Sequence, residues 1–301
     1  MRISAIFFLL AFILACKGAQ SPEEKAVDAQ TEIYESNPTD SSAQALVQAI
    51  SKYIEVHGTK DSTSARYILR SAQLSTKHQQ WQQALGYYKI YLVEYPDRPD
   101  IPQRLVELIE IMDKLQKPEL NQVLYRSFTE RFKDNPKAAE FESKITNKEI
   151  STDSLLKQIG LSMFNDSIYR LNEEMARLYV DASEVAVMSN PNMTKAAEYL
   201  HRAAETARTL RNIPKAITIY DWIIEKYPND KRGATSLFLK AFTFDNDLKD
   251  FVNAKKYYEE FLAKYPNNEF TESAKFLLEN LGKSEEELKQ ILEQKSKENV
   301  Q

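Results

Sequence analysis

Three stretches of the sequence share one motif: "YLVEYPDR" at residues 91–98, "IIEKYPND" at 223–230 and "FLAKYPNN" at 261–268. In each stretch, two apolar or aromatic residues are followed by two further residues and then by a Tyr-Pro pair. Asp or Asn follows the proline. Proline cannot continue a helix, and it forces the residue before it toward extended backbone geometry. The Asp or Asn that follows suits a turn and can cap a new helix. The motif therefore predicts the end of one helix and the start of the next.

The residues upstream of the three prolines match position by position. Ala stands twelve residues upstream, Tyr stands eight upstream, and a large apolar side chain stands five upstream. These positions are Ala84, Ala216 and Ala254, then Tyr88, Tyr220 and Tyr258, then Tyr91, Ile223 and Phe261. Spacings of four and three residues place all of them on one face of a helix. We expect the alanines to be buried where helices cross and the larger side chains to fill the core.

A second helical segment with small residues on one face precedes each motif. These segments are "ARYILRSAQL" at 65–74, "AAEYLHRAAETARTL" at 196–210 and "SLFLKAFTF" at 236–244. The repeating unit, helix, turn, helix and Tyr-Pro, resembles the tetratricopeptide repeat, whose usual period is about 34 residues. The resemblance implies an all-α solenoid of helical hairpins, a right-handed superhelix, here in two subdomains. The longer period predicts extended turns, such as "DNDLKD" at 245–250.

Two further prolines, Pro136 and Pro191, indicate weaker copies of the repeat. Aligned on Pro136, Leu124 replaces the Ala and Arg131 replaces an apolar residue. The interval between the two prolines exceeds one repeat, which predicts a boundary between subdomains near residue 150. The sequence predicts a leader at 1–15 and then a tether at 16–40, which contains a helical turn or two capped by Ser21 and Glu24. Degenerate repeats at 41–150, stronger repeats at 151–283 and a charged terminal helix at 284–301 follow.

The first residues have the layout of a secretory signal. Arg2 precedes "ISAIFFLLAFILA", an apolar run too short to span a bilayer comfortably. The run ends at Cys16, the one cysteine of the chain, within "ILAC". This arrangement resembles the lipobox of bacterial lipoproteins, which implies cleavage before Cys16 and acylation of that residue. An ordinary signal-peptide site with a chance cysteine and an uncleaved helical anchor are the alternatives. Two or three acyl chains hold a protein on a membrane durably.

Composition and motifs argue against several functions. The formal net charge is −4 with both signs interspersed, so the chain has no basic footprint for nucleic acid. The histidines, His57, His78 and His201, lie far apart and lack partners at metal-ligand spacing. "GKS" at 282–284 lacks the upstream glycine of a phosphate-binding loop, because position 277 is Leu277. The sequence therefore predicts no enzyme, no cofactor and no metal site.

The resemblance to tetratricopeptide proteins also implies a binding surface. In that family the first helix of each hairpin lines a concave groove that holds a peptide segment or a partner helix. The positions predicted to line it are mixed polar and aromatic: Arg66, Gln73, His201, Glu205, Arg208, Phe238 and Phe242. Packing against the next hairpin is the alternative for Phe238 and Phe242. Arg208 is the strongest candidate anchor, with Glu205 and His201 beside it.

A lipobox joined to a tetratricopeptide array resembles bacterial envelope scaffolds, such as the lipoprotein of the β-barrel assembly machine and the coordinator of cell-wall synthesis with outer-membrane constriction. The resemblance implies a lipid-anchored adaptor at the outer membrane, facing the periplasm, whose partners are other envelope proteins. A substrate-binding or nutrient-uptake lipoprotein, with a ligand pocket between the two subdomains, is the alternative. Repeats of this kind serve many functions, so they indicate architecture and do not identify the partner.

Overall fold

The structure, a computed structural model, describes residues 20–165, 170–284 and 286–291. The predicted leader at 1–15 and the lipidation site Cys16 lie outside the described residues. Within the described ranges the all-α prediction is confirmed, with the addition of a short antiparallel ribbon that pairs β1 (Phe164–Asn165) with β2 (Arg170–Leu171). The helices are α1 (Pro22–Ser36), α2 (Asp40–His57), α3 (Ser62–Lys77), α4 (Trp81–Glu94), α5 (Ile101–Lys114), α6 (Pro118–Arg131), α7 (Pro136–Lys144), α8 (Thr152–Ser162), α9 (Glu173–Ser189), α10 (Ala196–Thr209), α11 (Ile213–Lys226), α12 (Lys231–Phe242), α13 (Phe251–Lys264) and α14 (Thr271–Glu279).

The chain forms two compact units, Met1–Tyr95 and Pro96–Gln301. The sequence placed the boundary near residue 150 instead, and that placement differs from the structure. In the second unit α6 packs against both α8 and α9, so contacts run straight across residue 150. Glu130 on α6 accepts a hydrogen bond from the Thr152 amide at 2.8 Å, which caps the start of α8. The irregular connection predicted at 144–154 exists, but α6 holds it inside one unit.

The first unit begins with a helix where the sequence predicted a tether. Helix α1 starts with the predicted reciprocal cap, in which the Ser21 hydroxyl accepts from the Glu24 amide and the Glu24 carboxylate accepts from the Ser21 amide. It then continues for 15 residues and packs on α2. Val27 and Tyr34 are buried, and the Tyr34 hydroxyl lies 3.0 Å from Nε2 of His78. This apolar face makes α1 part of the fold, and its buried residues stabilise the unit.

Four hairpins repeat the same geometry, one in the first unit and three in the second. They are α3–α4, α5–α6, α10–α11 and α12–α13. The second helix of each hairpin is 14 residues long. The predicted column of alanines, Ala84, Ala216 and Ala254, is fully buried, and the tyrosine column above it is at most 1% exposed. Because alanine leaves room for a neighbouring backbone, the helices approach closely at these points. The burial predicted for the alanines and tyrosines is confirmed.

Each of these hairpins turns through one residue in the left-handed backbone region. The residues are Gln79, Gln116, Arg211 and Lys249, with φ between 54° and 60°. Each stands two residues before its second helix begins. Left-handed backbone is unfavourable for residues other than glycine, so the helix packing on either side maintains it. The sequence carries no glycine signal at these turns, which explains why it did not reveal them.

The weak copy before Pro136 has a different register from the one predicted. The helix ends are equivalent at Tyr95 and Phe132, because each caps its second helix with an amide bonded to the carbonyl four residues earlier. Counted from those ends, Asn121 stands in the alanine column, and Tyr125 and Phe128 stand in the two aromatic columns. All three are buried. The Asn121 Nδ2 donates to the Asp113 carboxylate, whereas Asn121 Oδ1 is buried without a hydrogen-bond partner among the described residues.

The Tyr of each Tyr-Pro pair joins one repeat to the turn before it. The Tyr227 hydroxyl donates to the Pro191 carbonyl at 2.9 Å, and the Tyr265 hydroxyl reaches the Pro228 carbonyl at 3.5 Å. In the first unit Tyr95 donates to the carbonyls of Thr59 and Asp61. Burial raises the pKa of Tyr227, so its hydroxyl is protonated and can donate at neutral pH. The tyrosine therefore closes each repeat by a hydrogen bond as well as by packing.

The degenerate copy keeps this contact with a different side chain. Arg131, the last residue of α6, donates through Nη2 to the Pro96 carbonyl at 2.7 Å. Its Nη1 donates to the Ser189 carbonyl at the end of α9, at 2.9 Å. The guanidinium lies over the Phe132 ring, 4.7 Å from the centroid. Burial lowers the pKa of Arg131, and Asp97 offsets part of that effect. Arginine thus connects two turns at the point where the Tyr-Pro motif is missing.

The turn after Tyr227 requires a glycine in the next helix. A side chain at Gly233 would place its Cβ 2.9 Å from the Tyr227 carbonyl oxygen and 3.2 Å from that of Pro228. Backbone oxygens cannot move aside cheaply, so a larger residue would force α12 away from the turn. Gly233 therefore allows the first helix of the last hairpin to start close to the preceding proline.

The predicted extension at 245–250 is a π-helical turn. Residues 243–247 continue α12 with the wider hydrogen-bonding pattern, and the chain then turns into α13. This insertion lengthens the first helix of the hairpin and brings Asp245 and Asp247 inward. Asp250 then caps α13 by accepting from the Asn253 amide at 3.1 Å. The extra residues of this longer repeat therefore extend the first helix of the hairpin as a π-helical turn.

The tyrosine contact gives a direct stability prediction. Tyr227→Phe removes the hydroxyl donor and leaves the Pro191 carbonyl without it, so we expect a loss of about 1–2 kcal/mol in the free energy of unfolding. Tyr265→Phe is the matched control, because its hydroxyl is more exposed and its hydrogen bond is at the outer distance limit. Denaturant titrations followed by far-ultraviolet circular dichroism measure both. Equal losses in the two variants would contradict the proposed role of the Tyr227 bond.

Candidate functional site

The predicted groove residues fall in both units and have different environments. Arg66 and Gln73 lie on α3 in the first unit, seven residues apart on one face, and both are exposed. The Arg66 guanidinium lies 5.1 Å from the centroid of the Tyr67 ring. His201, Glu205 and Arg208 lie on α10 in the second unit, and Phe238 and Phe242 lie on α12. Of the seven, Arg66 and Gln73 are the side chains most open to a partner.

Arg208 is an internal ion-pair partner rather than a free groove residue. Its Nε donates to Oδ2 of Asp247, in the π-helical turn, at 2.5 Å. Its guanidinium also lies 5.1 Å from the centroid of the Phe242 ring. Burial opposes the charge on Arg208, but the hydrogen bond and charge of Asp247 outweigh it and raise the pKa of the guanidinium. The prediction that Arg208 is a groove anchor open to a partner therefore needs correction, because Arg208 neutralises Asp247, whose side chain is only 7% exposed.

Glu205 and His201 also face the protein. The Glu205 carboxylate accepts a hydrogen bond from the Tyr220 hydroxyl on α11, and burial together with this negative charge raises the pKa of Tyr220. His201 is half-buried, and its Nδ1 has no hydrogen-bond partner among the described residues. Burial lowers the pKa of His201, which keeps the imidazole neutral at pH 7. Glu205 and Arg208 therefore make their polar contacts with neighbouring elements, and we call these two residues and His201 the α10 strip.

Phe238 lies in the core, whereas Phe242 packs beside Arg208 of the α10 strip. Phe238 is 8% exposed and stacks on Phe270, with the ring centroids 4.9 Å apart and the planes 12° from parallel. It also contacts Phe261 and Tyr258. Phe238 is therefore a core residue, in agreement with the packing alternative. Phe242 is half-buried and covers the Arg208–Asp247 pair from one side.

A second charged cluster ties α8 to α10. Asp153, in the first turn of α8, accepts from the Tyr199 hydroxyl at 2.5 Å and pairs with Lys195 at 3.1 Å and Lys157 at 2.7 Å. Burial alone would raise the pKa of Asp153. The hydrogen bonds from Lys157, Tyr199 and Lys195 outweigh burial and lower that pKa to about 2. The cluster is a stabilising contact between two helices, and all its partners are accounted for.

The partners that hold the α10 strip were not predicted from the sequence. Asp247 lies 39 residues after Arg208, about one repeat later, and Arg232 pairs with Glu198 across a similar interval at 3.0 Å. Residues of opposite charge separated by about one repeat length could have indicated these pairs. In the part of the chain that the structure describes, no group of three or more His, Cys, Asp or Glu side chains is placed to hold a metal ion. Nor is any described helix both long and apolar enough to cross a membrane.

Comparison with known proteins supports the architecture. The tetratricopeptide repeat family matches residues 235–268, which cover most of α12, the π-helical turn, α13 and the turn that follows it. A solved structure described as the TPR2AB-domain:pHSP90 complex of yeast Sti1 is 17% identical, with 85% of this chain and 96% of that chain covered, at a TM-score of 0.29. A TM-score this low does not establish a common arrangement of helices. No curated protein sequence matches the chain. The matched repeat and the hairpin geometry identify an all-α array of tetratricopeptide-like hairpins, with no enzyme family indicated.

The Arg208 ion pair predicts a folding defect. Arg208→Ala would leave the buried Asp247 carboxylate without its main partner, so we expect a loss of about 2–4 kcal/mol in the free energy of unfolding. Adding Asp247→Asn should recover part of the loss, because it removes the unpaired charge. Arg177→Ala is the control, since Arg177 is 59% exposed in a surface pair and should cost under about 0.5 kcal/mol. An Arg208→Ala variant as stable as Arg177→Ala would show that the pair contributes little.

Asp153 predicts an acid-dependent contribution to stability. Its pKa in the folded protein, about 2, is below the ordinary 3.8, so its stabilising effect is complete above about pH 4 and is lost as the pH falls toward 2. The side chain is 32% exposed, so we discount the effect to about 1–1.5 kcal/mol. Asp153→Asn should lower stability at pH 7 and make little difference at pH 2. Exposed Asp134→Asn is the control, and a pH-independent loss in Asp153→Asn would contradict the assignment.

Proposed function

We propose that this protein is an adaptor of the bacterial cell envelope, held by acyl chains at Cys16 on the outer membrane and facing the periplasm. Its hairpins bind a peptide segment or a helix of another envelope protein. The leader motif "ILAC" supports the anchor, and the tetratricopeptide-like hairpins support the binding role. The proposal concerns protein partners, because the charge balance of the chain does not favour nucleic acid.

One observation carries the binding role: helix α3 has a polar face, at Arg66 and Gln73, that its own unit leaves exposed. Arg66 and Gln73 are exposed on the first helix of a hairpin, and the buried Tyr67 ring lies beneath the Arg66 guanidinium. Arginine is one of the residues that most often anchor protein interfaces. Among the corresponding positions on α10, Glu205 contacts α11, and Arg208 contacts α12 and the π-helical turn. We therefore place the partner on the α3 face.

Crosslinking in cells tests this proposal. A photo-reactive residue at position 66 or 73 should trap the same small set of envelope proteins, and Arg66→Ala should reduce the yield from position 73 several-fold. Position 82, an exposed glutamine on the second helix α4, is the matched control and should not trap them. Cys16→Ser should release the protein from the membrane fraction and lower the yield. Identical products from positions 66, 73 and 82 would argue against a specific α3 face.

A further inference from the structure

A cavity of about 610 Å³ lies in the second unit, between the last turns of α6, helix α7 and the connection at residues 145–151. We call it the α6–α7 cavity. Its apolar wall consists of Ala138, Ala139, Ile145 and Ile150. Its volume is within the range of small-ligand sites. None of its lining residues belongs to the α3 face or the α10 strip.

One wall of the cavity contains a buried cation. Arg126 on α6 is 3% exposed and lines the cavity. Its Nη1 donates to the Ile150 carbonyl at 2.7 Å, which holds the connection against α6. Its Nε is buried without a partner, and no hydrogen bond from Nη2 is present among the described residues. The edge of the guanidinium formed by Nε and Nη2 therefore has no partner in the described part of the chain, and this is one of the edges that binds a carboxylate with two parallel hydrogen bonds.

The nearby carboxylates do not neutralise Arg126. Glu130 lines the cavity, but its Oε1 already accepts from the Thr152 amide. Glu142 is exposed at the rim, and no carboxylate in the described part of the chain lies within ion-pair distance of Arg126. A buried charge without a counter-ion is costly, and burial lowers the pKa of Arg126 although Glu130 and Glu142 partly oppose this. A bound anion would complete the site.

The lining also indicates which anion fits. Lys133 and Lys148 lie at the rim and add positive charge, whereas Glu130, Glu142 and Glu149 add negative charge. This balance disfavours a multiply charged anion such as phosphate, which the three glutamates would repel. The alanine and isoleucine wall favours a ligand with an apolar body. A single carboxylate with an aliphatic chain satisfies both conditions.

We propose that the α6–α7 cavity binds a monocarboxylate with an apolar body, its carboxylate on the free edge of Arg126 and its chain against the alanine and isoleucine wall. The carboxylate belongs either to a small molecule or to the C-terminus of a peptide. This proposal is independent of the adaptor function, because it uses no residue of the α3 face.

Nuclear magnetic resonance titration of the full-length protein tests the proposal at constant ionic strength. Hexanoate and N-acetyl-Leu-Leu with a free C-terminus are the probes, and hexanamide and the peptide amide are their neutral controls. We expect saturable shifts of the backbone amides at residues 145–151 with at least one carboxylate probe and at least tenfold weaker effects with its amide. Saturation by hexanoate alone indicates a small-molecule ligand, and saturation by the peptide indicates a chain terminus.

Substitutions at the cavity make the test specific without disturbing Arg126, whose removal would release Ile150. Ala139→Trp fills the cavity from an exposed position and should abolish the shifts, and Lys133→Gln should weaken them several-fold. Lys137→Gln, also exposed on α7 but outside the cavity lining, should change binding by less than twofold. The proposal is wrong if neither carboxylate saturates, if the amides bind equally well, or if Ala139→Trp binds like the wild type.

Discussion

The stacking of the hairpins depends on one kind of hydrogen bond. A side chain at the end of a second helix donates it to the backbone of the turn one repeat earlier. Proline ends the helix and leaves a turn whose carbonyls need donors, because proline supplies none of its own. The tyrosine hydroxyl of the following repeat reaches that carbonyl, as Tyr227 does for Pro191. Where the motif is lost, Arg131 makes the equivalent contact with Pro96. A donor at the end of the second helix is therefore kept, but its position shifts, because Arg131 stands one residue before Phe132, the equivalent of the tyrosine.

Ion pairs between elements about one repeat or half a repeat apart form the second layer of this arrangement. Arg208 pairs with Asp247, Arg232 with Glu198, and Lys215 with Glu184. Lys240, which is 7% exposed, pairs with Asp221 at 2.5 Å and lies over the Tyr257 ring. Partly buried pairs of this kind are costly to break from one side, and they restrict the helices to one relative position. Side chains that a repeat family would present to a ligand are used here to hold successive hairpins together.

This use of polar groups affects where binding can occur. Within the second unit the α10 strip is occupied by internal partners, so it offers a ligand mainly the neutral His201. In the described part of the chain, two surfaces with recognition groups that make no ion pair are the α3 face, with Arg66 and Gln73, and the α6–α7 cavity, with Arg126. They differ in chemistry, since one is an exposed helix face suited to a chain segment and the other a concave site suited to a small carboxylate.

The sequence by itself determined the features that depend on local periodicity. The Ala, Tyr and apolar columns lie on one helix face at fixed spacing, and the structure buries all of them. The Ser21–Glu24 cap and the extra turn at 245–250 could also be predicted from the sequence, because caps and insertions involve neighbouring residues.

The tertiary structure decided which distant groups satisfy each polar side chain. Arg208 meets Asp247 39 residues later, and Tyr34 meets His78 across 44 residues, which turns a predicted tether into a packed helix. It also decided the register at Phe132, since the helix ends where its capping amide finds a carbonyl and not where the next proline stands. Periodicity specifies the buried face of each helix, but the partners of its polar groups exist only after the helices have stacked.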